Sequence, residues 1–177
     1  GTVRSNLKVK PVLETIARHG ADTAGLSFAT ADLESDEGWD AAARDASYVV
    51  HTASPFPMQQ PDDAEAVIRP AREGTMRVLR AAHRNAVKRV VLTSSTVAVM
   101  YPEVYSPDQV FSEKDFTNEN TKGITPYIKS KTVAEKAAWN FVRSTPGAPR
   151  TRSSSRSPTR ARPWSHSTPF LPTRDRR

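Results

Sequence analysis

The chain contains no cysteine, which excludes a disulfide framework and a thiolate metal site. That absence fits a reducing, cytoplasmic setting. No run approaches the ~18 apolar residues of a membrane-spanning helix, and no signal peptide is visible at the N-terminus, so no membrane partner is expected. No group of histidines and carboxylates has the spacing of a metal site, so no metal is expected either. Aromatic residues are scarce, at 7%, too few for the stacking platforms that hold single-stranded nucleic acid. Positive charge is plentiful, formally +7, but unevenly placed. Residues 151–177 hold seven Arg, no Lys and one Asp, a net +6, which leaves about +1 for the first 150 residues. The basic signal belongs to a tail, so nucleic acid is not expected as a partner of the folded part. The 177 residues suffice for one domain with a real core.

What is present alternates between two periodicities. The opening residues 1–5 read as the end of a strand. Asn6 is a candidate cap for a helix to about His19 with Leu7, Leu13 and Ile16 on its buried side, and Pro11 is tolerated if the helix starts near Lys10. Residues 26–33 read as a short strand and 36–44 as a short helix. Residues 46–53 form a β-branched strand expected to be buried on both faces. A loop with Ser54-Pro55-Phe56-Pro57 follows. Asp62 or Asp63 is placed to cap a long helix to about Asn85, with Pro70 inside it. Residues 88–95 are the next strand, and a helix runs from Pro126 to about Ser144. Strand and helix in alternation, with apolar strands, give an α/β fold with a doubly wound parallel sheet. In such sheets ligands bind beyond the carboxyl ends of the strands. Arg4, Asp32, Thr52-Ala53-Ser54 and Ser94-Ser95 all fall at predicted strand ends. His51 lies within a strong strand and reads as a core histidine with no assigned role; His19 and His83 read as solvent-facing.

The stretch richest in chemistry is Val90-Val91-Leu92-Thr93-Ser94-Ser95 followed by Thr125-Pro126-Tyr127-Ile128-Lys129-Ser130-Lys131. A buried strand ends in two serines, and a helix opens with Tyr-x-x-x-Lys. Residues four apart share a helix face, so Tyr127 and Lys131 point into one space. A nearby ammonium favours the phenolate form of a tyrosine, and a serine hydroxyl can hold a carbonyl oxygen beside the phenol. Together they form a device for giving a proton to a carbonyl while hydride arrives from elsewhere.

With Arg4 after Gly1-Thr2-Val3, Ala31-Asp32-Leu33, Val50-His51-Thr52-Ala53-Ser54-Pro55, and Tyr127 through Glu135 in the same order and spacing, the chain resembles the extended short-chain dehydrogenase/reductases. Within them it is similar to the dihydroflavonol reductase and cinnamoyl-CoA reductase group of the NAD-dependent epimerase/dehydratase superfamily. The likeness covers about residues 1–145. It implies a Rossmann-like fold and reduction of a small-molecule aldehyde or ketone to an alcohol. It implies Tyr127 as proton donor, Lys131 as the residue that makes the phenol a better acid and holds the nicotinamide ribose, and Ser95 as the catalytic serine rather than Ser94. Arg4, with Lys10 assisting, falls where the adenosine 2′-phosphate is met, so NADP(H) is favoured over NAD(H). Asp32 and Leu33 fall in the adenine pocket, and Thr52, Ala53 and Ser54 at the turn against the cofactor backbone.

Two departures stand beside the resemblance. The glycine-rich turn that cradles the pyrophosphate on a helix N-terminus is not in the chain, and the strand expected after the Tyr127 helix is replaced by the basic tail. The fold is therefore expected to be incomplete at both ends. Residues 1–150 form a partial dinucleotide-binding domain without its first strand and glycine-rich turn. Residues 151–177 form an Arg/Ser/Pro tail, disordered or the product of a shifted reading frame. Little cofactor affinity or activity is expected of these 177 residues alone. A nucleotide-sugar epimerase or dehydratase, a hydroxysteroid-type dehydrogenase, and an inactive dinucleotide-binding scaffold are the alternatives on the same framework. The sequence does not indicate the oligomeric state.

Overall fold

The computed structural model of the chain describes residues 1–59, 61–104, 106 and 108–156. It contains five short strands, β1 (Thr2–Val3), β2 (Ala29–Thr30), β3 (Tyr48–His51), β4 (Arg89–Leu92) and β5 (Arg150–Ser153). Four α-helices alternate with them, α1 (Val9–Arg18), α2 (Trp39–Ala43), α3 (Glu65–Arg84) and α4 (Pro126–Ser144). All strand pairs are parallel. β1 pairs with β2, and β3, β4 and β5 form a separate ladder with Tyr48, Arg89 and Arg150 in one row and His51, Leu92 and Ser153 in another. This is a parallel-sheet α/β fold of Rossmann-like type.

α3 and α4 carry the core. They pack on each other and on one face of the β3–β4–β5 ladder. Leu79, Ala82 and Val87 meet Val90 and Leu92 of β4 and Ala138 of α4. A second cluster joins Val78 and Ala81 of α3 to Ala31, Trp39 and Ala43. Small residues permit the close approach. A Cβ added to Gly74 of α3 would lie 2.5 Å from Leu33 Cδ2, so the missing side chain makes room for Leu33. Gly38, just before α2, has φ +82° and sits so tightly on the Thr30 carbonyl that only glycine fits there. Arg84 of α3 grips Asp40 of α2 through two parallel hydrogen bonds of 2.9 and 2.8 Å.

Helix α4 starts where its sequence dictates. Thr125 is extended and its hydroxyl accepts from the Ile128 amide at 3.3 Å, with Pro126 in the first helical position. At α3 the Asp63 carboxylate accepts from the Glu65 amide at 2.9 Å, and Pro70 lies inside the helix.

Several expectations are corrected. The first helix is capped by Ser5, not Asn6: Ser5 Oγ accepts from the Leu7 amide at 3.3 Å, and a single 3-10 turn (Asn6–Lys8) leads into α1. α1 buries no residue, and Leu7 is 86% exposed. The strand expected over 26–33 shortens to two residues. β3 is covered on one face only, since Tyr48 and Val50, which alternate with Val49 and His51, are each 66% exposed. The strand expected to be missing after the Tyr127 helix is present. β5 continues the ladder on β4, with the Arg150 amide donating to the Lys88 carbonyl at 3.3 Å. The remainder of the basic tail, residues 157–177, lies outside the described residues. Among the described residues no helix is long and apolar enough to cross a membrane.

Candidate active site

The β3–β4 ladder ends with the Thr93 amide donating to the His51 carbonyl at 2.9 Å, and the two serines follow. Successive side chains of an extended chain point in opposite directions, so Ser94 and Ser95 take different partners. Ser94 Oγ donates to Glu135 Oε2 of α4 at 2.6 Å. Ser95 caps a 3-10 turn (Thr96–Ala98), its Oγ accepting from the Val97 amide at 3.4 Å. The long loop after this turn is stapled back onto it. The fully buried Thr117 donates its hydroxyl to the Val97 carbonyl at 2.5 Å and its amide to the Ala98 carbonyl at 2.9 Å. Lys136 of α4 pairs with Glu119 of the loop at 2.7 Å. These bonds fix where α4 begins relative to the serines.

Tyr127 and Lys131 lie one turn apart at the start of α4. Lys131 is 8% exposed, its ammonium donates to the Thr93 carbonyl at 3.4 Å, and it sits 6.0 Å from the centre of the Tyr127 ring. Burial pushes the Lys131 pKa down, and the Glu135 carboxylate opposes that effect. The half-buried Tyr127 meets Phe56 edge-on, with ring centres 5.1 Å apart and an angle of 88°. Phe56 belongs to the loop after β3. It was not singled out in the sequence, where the only signal was an aromatic between two prolines just past a strand end.

Phe56 connects this helix to an open cleft of about 500 Å³, a size common to small-molecule sites. Arg4, Asp32, Leu33, Ala53, Ser54 and Phe56 line it, at the carboxyl ends of β1, β2 and β3. The Asp32-Leu33 turn is held by its backbone. Trp39 Nε1 donates to the Asp32 carbonyl at 3.1 Å, and Arg77 donates to the Leu33 carbonyl at 2.7 Å. These residues fit the adenosine end of a nicotinamide dinucleotide. Arg4 is an exposed cation suited to a phosphate, Asp32 offers an acceptor, and Ala53 and Ser54 let a ligand approach the backbone. Lys10 and Thr52 do not line the cleft. Lys10 is exposed on α1, 3.9 Å from Glu14. The site thus brings together five of the seven residues placed toward the cofactor outside α4, and Phe56 links them to Tyr127.

His51, read from the sequence as a core histidine, is 6% exposed at the end of β3, and its Nε2 has no hydrogen-bond partner. Burial, and secondarily the charge of Lys131, lower its pKa to about 4. Among the described residues no three His, Cys, Asp or Glu side chains are grouped as metal ligands would be.

Comparison with known proteins gives the same neighbourhood. The model of the NAD dependent epimerase/dehydratase family matches residues 4–151. A cinnamoyl-CoA reductase of Medicago truncatula is 38% identical over 146 residues, covering 80% of this chain and 44% of that protein. A tetraketide alpha-pyrone reductase of Arabidopsis thaliana is 38% identical over 144 residues, with the same coverage of 80% and 44%. Among solved structures, Gre2 of Candida albicans in complex with NADPH superimposes with a TM-score of 0.73 at 28% identity, covering 86% of this chain and 48% of that one. The chain thus spans about half the length of the relatives it matches.

Proposed function

Because the chain belongs to the NAD dependent epimerase/dehydratase family, we propose that the protein reduces an aldehyde or ketone to an alcohol with NADPH. The observation that carries this reading is the placement of Tyr127. It stands one helical turn from a buried ammonium, beside the strand that ends in Ser94-Ser95, and in ring contact with the wall of the cleft.

In this reading the bound nicotinamide supplies hydride to the carbonyl carbon, and the protein handles the oxygen. Ser95 donates a hydrogen bond to that oxygen and orients it. Tyr127 gives its phenolic proton to the same oxygen as the C–O double bond becomes single. Lys131 faces the phenolate left behind and stabilises its charge, more strongly for being out of water. Much of the rate comes from holding these groups in register. Arg4 meets the 2′-phosphate at the far end of the cleft, which is the basis for preferring NADPH to NADH. Asp32 and Leu33 flank the adenine, and Ala53 and Ser54 follow the cofactor backbone. The relatives named as reductases support the reaction class, and the dihydroflavonol-like carbonyl compounds are the first substrates to try.

The test is NADPH oxidation against a panel of aldehydes and ketones, using the protein expressed from its complete gene, beside its Tyr127→Phe variant. Turnover reduced about 10²–10⁴-fold in the variant is the expected result. Equal turnover in both would remove Tyr127 from the mechanism. NAD copurifying with a protein that reduces none of the panel would move the reading to an epimerase or dehydratase.

A further inference from the structure

Glu135 has no part in the reaction just described, yet it is fully buried. A carboxylate out of water is costly unless donors surround it, and here they come from three elements. Ser94 at the end of β4 donates at 2.6 Å, Ser155 just past β5 donates to both oxygens at 2.7 Å, and Trp139 one turn along α4 donates at 3.2 Å. Burial pushes the Glu135 carboxyl up, but the bonds from Ser94, Ser155, Trp139 and Ser153 together outweigh it and leave the pKa below the ordinary value. The group is therefore an anion at neutral pH, held inside the fold.

Its position explains the expense. Tyr127, Lys131 and Glu135 follow one another at intervals of four along a single face of α4. Ser94, which Glu135 binds, is the backbone neighbour of Ser95. Resting on the reductase reading, we propose that Glu135 is a positioning residue. It locks the serine pair of β4 onto the face of α4 that carries Tyr127 and Lys131, and its buried charge keeps the Lys131 ammonium seated there. Besides Tyr127, whose ring centre lies 6.0 Å from the ammonium, His51 of β3 is the remaining described titratable group acting at this place, and it is neutral at working pH. The buried residues that α3 turns toward α4, the 3-10 turn Thr96–Ala98, and Thr151 and Ser153 of β5 bring no charge. Arg150 and Arg152 of β5 are exposed. Glu135 is thus the sole described anion set against Lys131.

The test compares Glu135→Gln, which removes the charge and keeps the shape, with the unaltered protein. In steady-state kinetics kcat is expected to fall about 10- to 100-fold with KM for the carbonyl compound little changed, and the alkaline limb of the kcat profile to move to lower pH. Independently of activity, an NMR titration of the Lys131 side chain is expected to show the ammonium losing its proton at lower pH in the variant. A variant that melts earlier but keeps kcat, pH profile and Lys131 titration unchanged would overturn the proposal, since Glu135 would then be structural only. If Glu135→Gln does not fold, Ser155→Ala keeps the charge and removes a donor. It should raise the Glu135 pKa and move the acid limb of the Lys131 titration shift upward in pH, and an unmoved limb would overturn the proposal equally. Absence of any carbonyl reduction by the unaltered protein would defeat the reductase reading while the Lys131 titration still decides the role of Glu135.

Discussion

Helix α3 buries ten residues along its length and α4 buries seven, whereas α1 buries none. The same contrast runs through the strands. β4 sends Val90 and Leu92 into a cluster closed by both long helices, whereas β1 and β2 are two residues long and, among the described residues, pair with each other alone. The residues proposed for proton transfer all sit on the packed side. Those proposed for the adenosine end sit on the thin side, held by turn hydrogen bonds such as those from Trp39 and Arg77. A proton donor tolerates little displacement, while a phosphate contact made by a long exposed arginine tolerates more. The molecule spends its packing where geometry matters most.

The most direct way to break this comparison is to truncate one leucine on each side. Leu79 is 2% exposed in the main cluster, and Leu79→Ala is expected to cost about 2–5 kcal/mol. Leu7 is 86% exposed, and Leu7→Ala is expected to change stability by less than about 0.5 kcal/mol. Urea unfolding measures both. Similar losses would mean that the 3-10 turn leading into α1 contributes to the core after all.

A second, smaller effect depends on pH. An unfolded histidine titrates near 6.5, and His51 in the fold titrates at about 4. Below pH 6.5 the unfolded chain takes up a proton that the folded chain refuses, so stability falls with pH until about 4 and this contribution is then exhausted. The full difference is at most about 3 kcal/mol. Unfolding at neutral pH and near pH 4, on the protein and on His51→Gln, isolates it. The variant should lose less on acidification by about that amount, and equal losses would place His51 in contact with water.

How much of this was legible depended on which physical signal each residue carries. Thr125-Pro126 announced the start of α4 because capping and proline chemistry are local, and Tyr127 and Lys131 followed from helical spacing. The Val-rich strands announced themselves but not which of their faces is covered, since that depends on distant helices. Leu7, Leu13 and Ile16 had the spacing of a buried face, but spacing does not supply a partner to bury it against. β5 was hidden because Arg-Thr-Arg-Ser has no apolar pattern; it is recruited by backbone bonds to β4, for which any residue but proline can supply both the donor and the acceptor. Glu135 was hidden for the opposite reason. A glutamate on a helix reads as a solvent-facing residue, and the donors that offset its burial include serines that arrive from β4 and from beyond β5, which no local pattern announces.

Arg4 and Lys10 give the finest version of the comparison, because both were placed toward the 2′-phosphate on the thin side and only Arg4 lines the cleft. Lys10 lies on α1 with its charge 3.9 Å from Glu14, and both partners are largely exposed. An exposed pair of this kind contributes little, so Lys10→Ala should leave stability within about 0.5 kcal/mol. If Arg4 alone meets the phosphate, Arg4→Ala should raise KM for NADPH about 10-fold, the loss of one charge-assisted bond of roughly 1.5 kcal/mol, and leave KM for NADH unchanged. Lys10→Ala should change neither by more than about two-fold, less than 0.5 kcal/mol at RT ≈ 0.59. An equal rise in both variants would mean that α1 carries Lys10 into the cleft when cofactor binds. The thin side would then be ordered by its ligand, where the packed side is ordered by its own side chains.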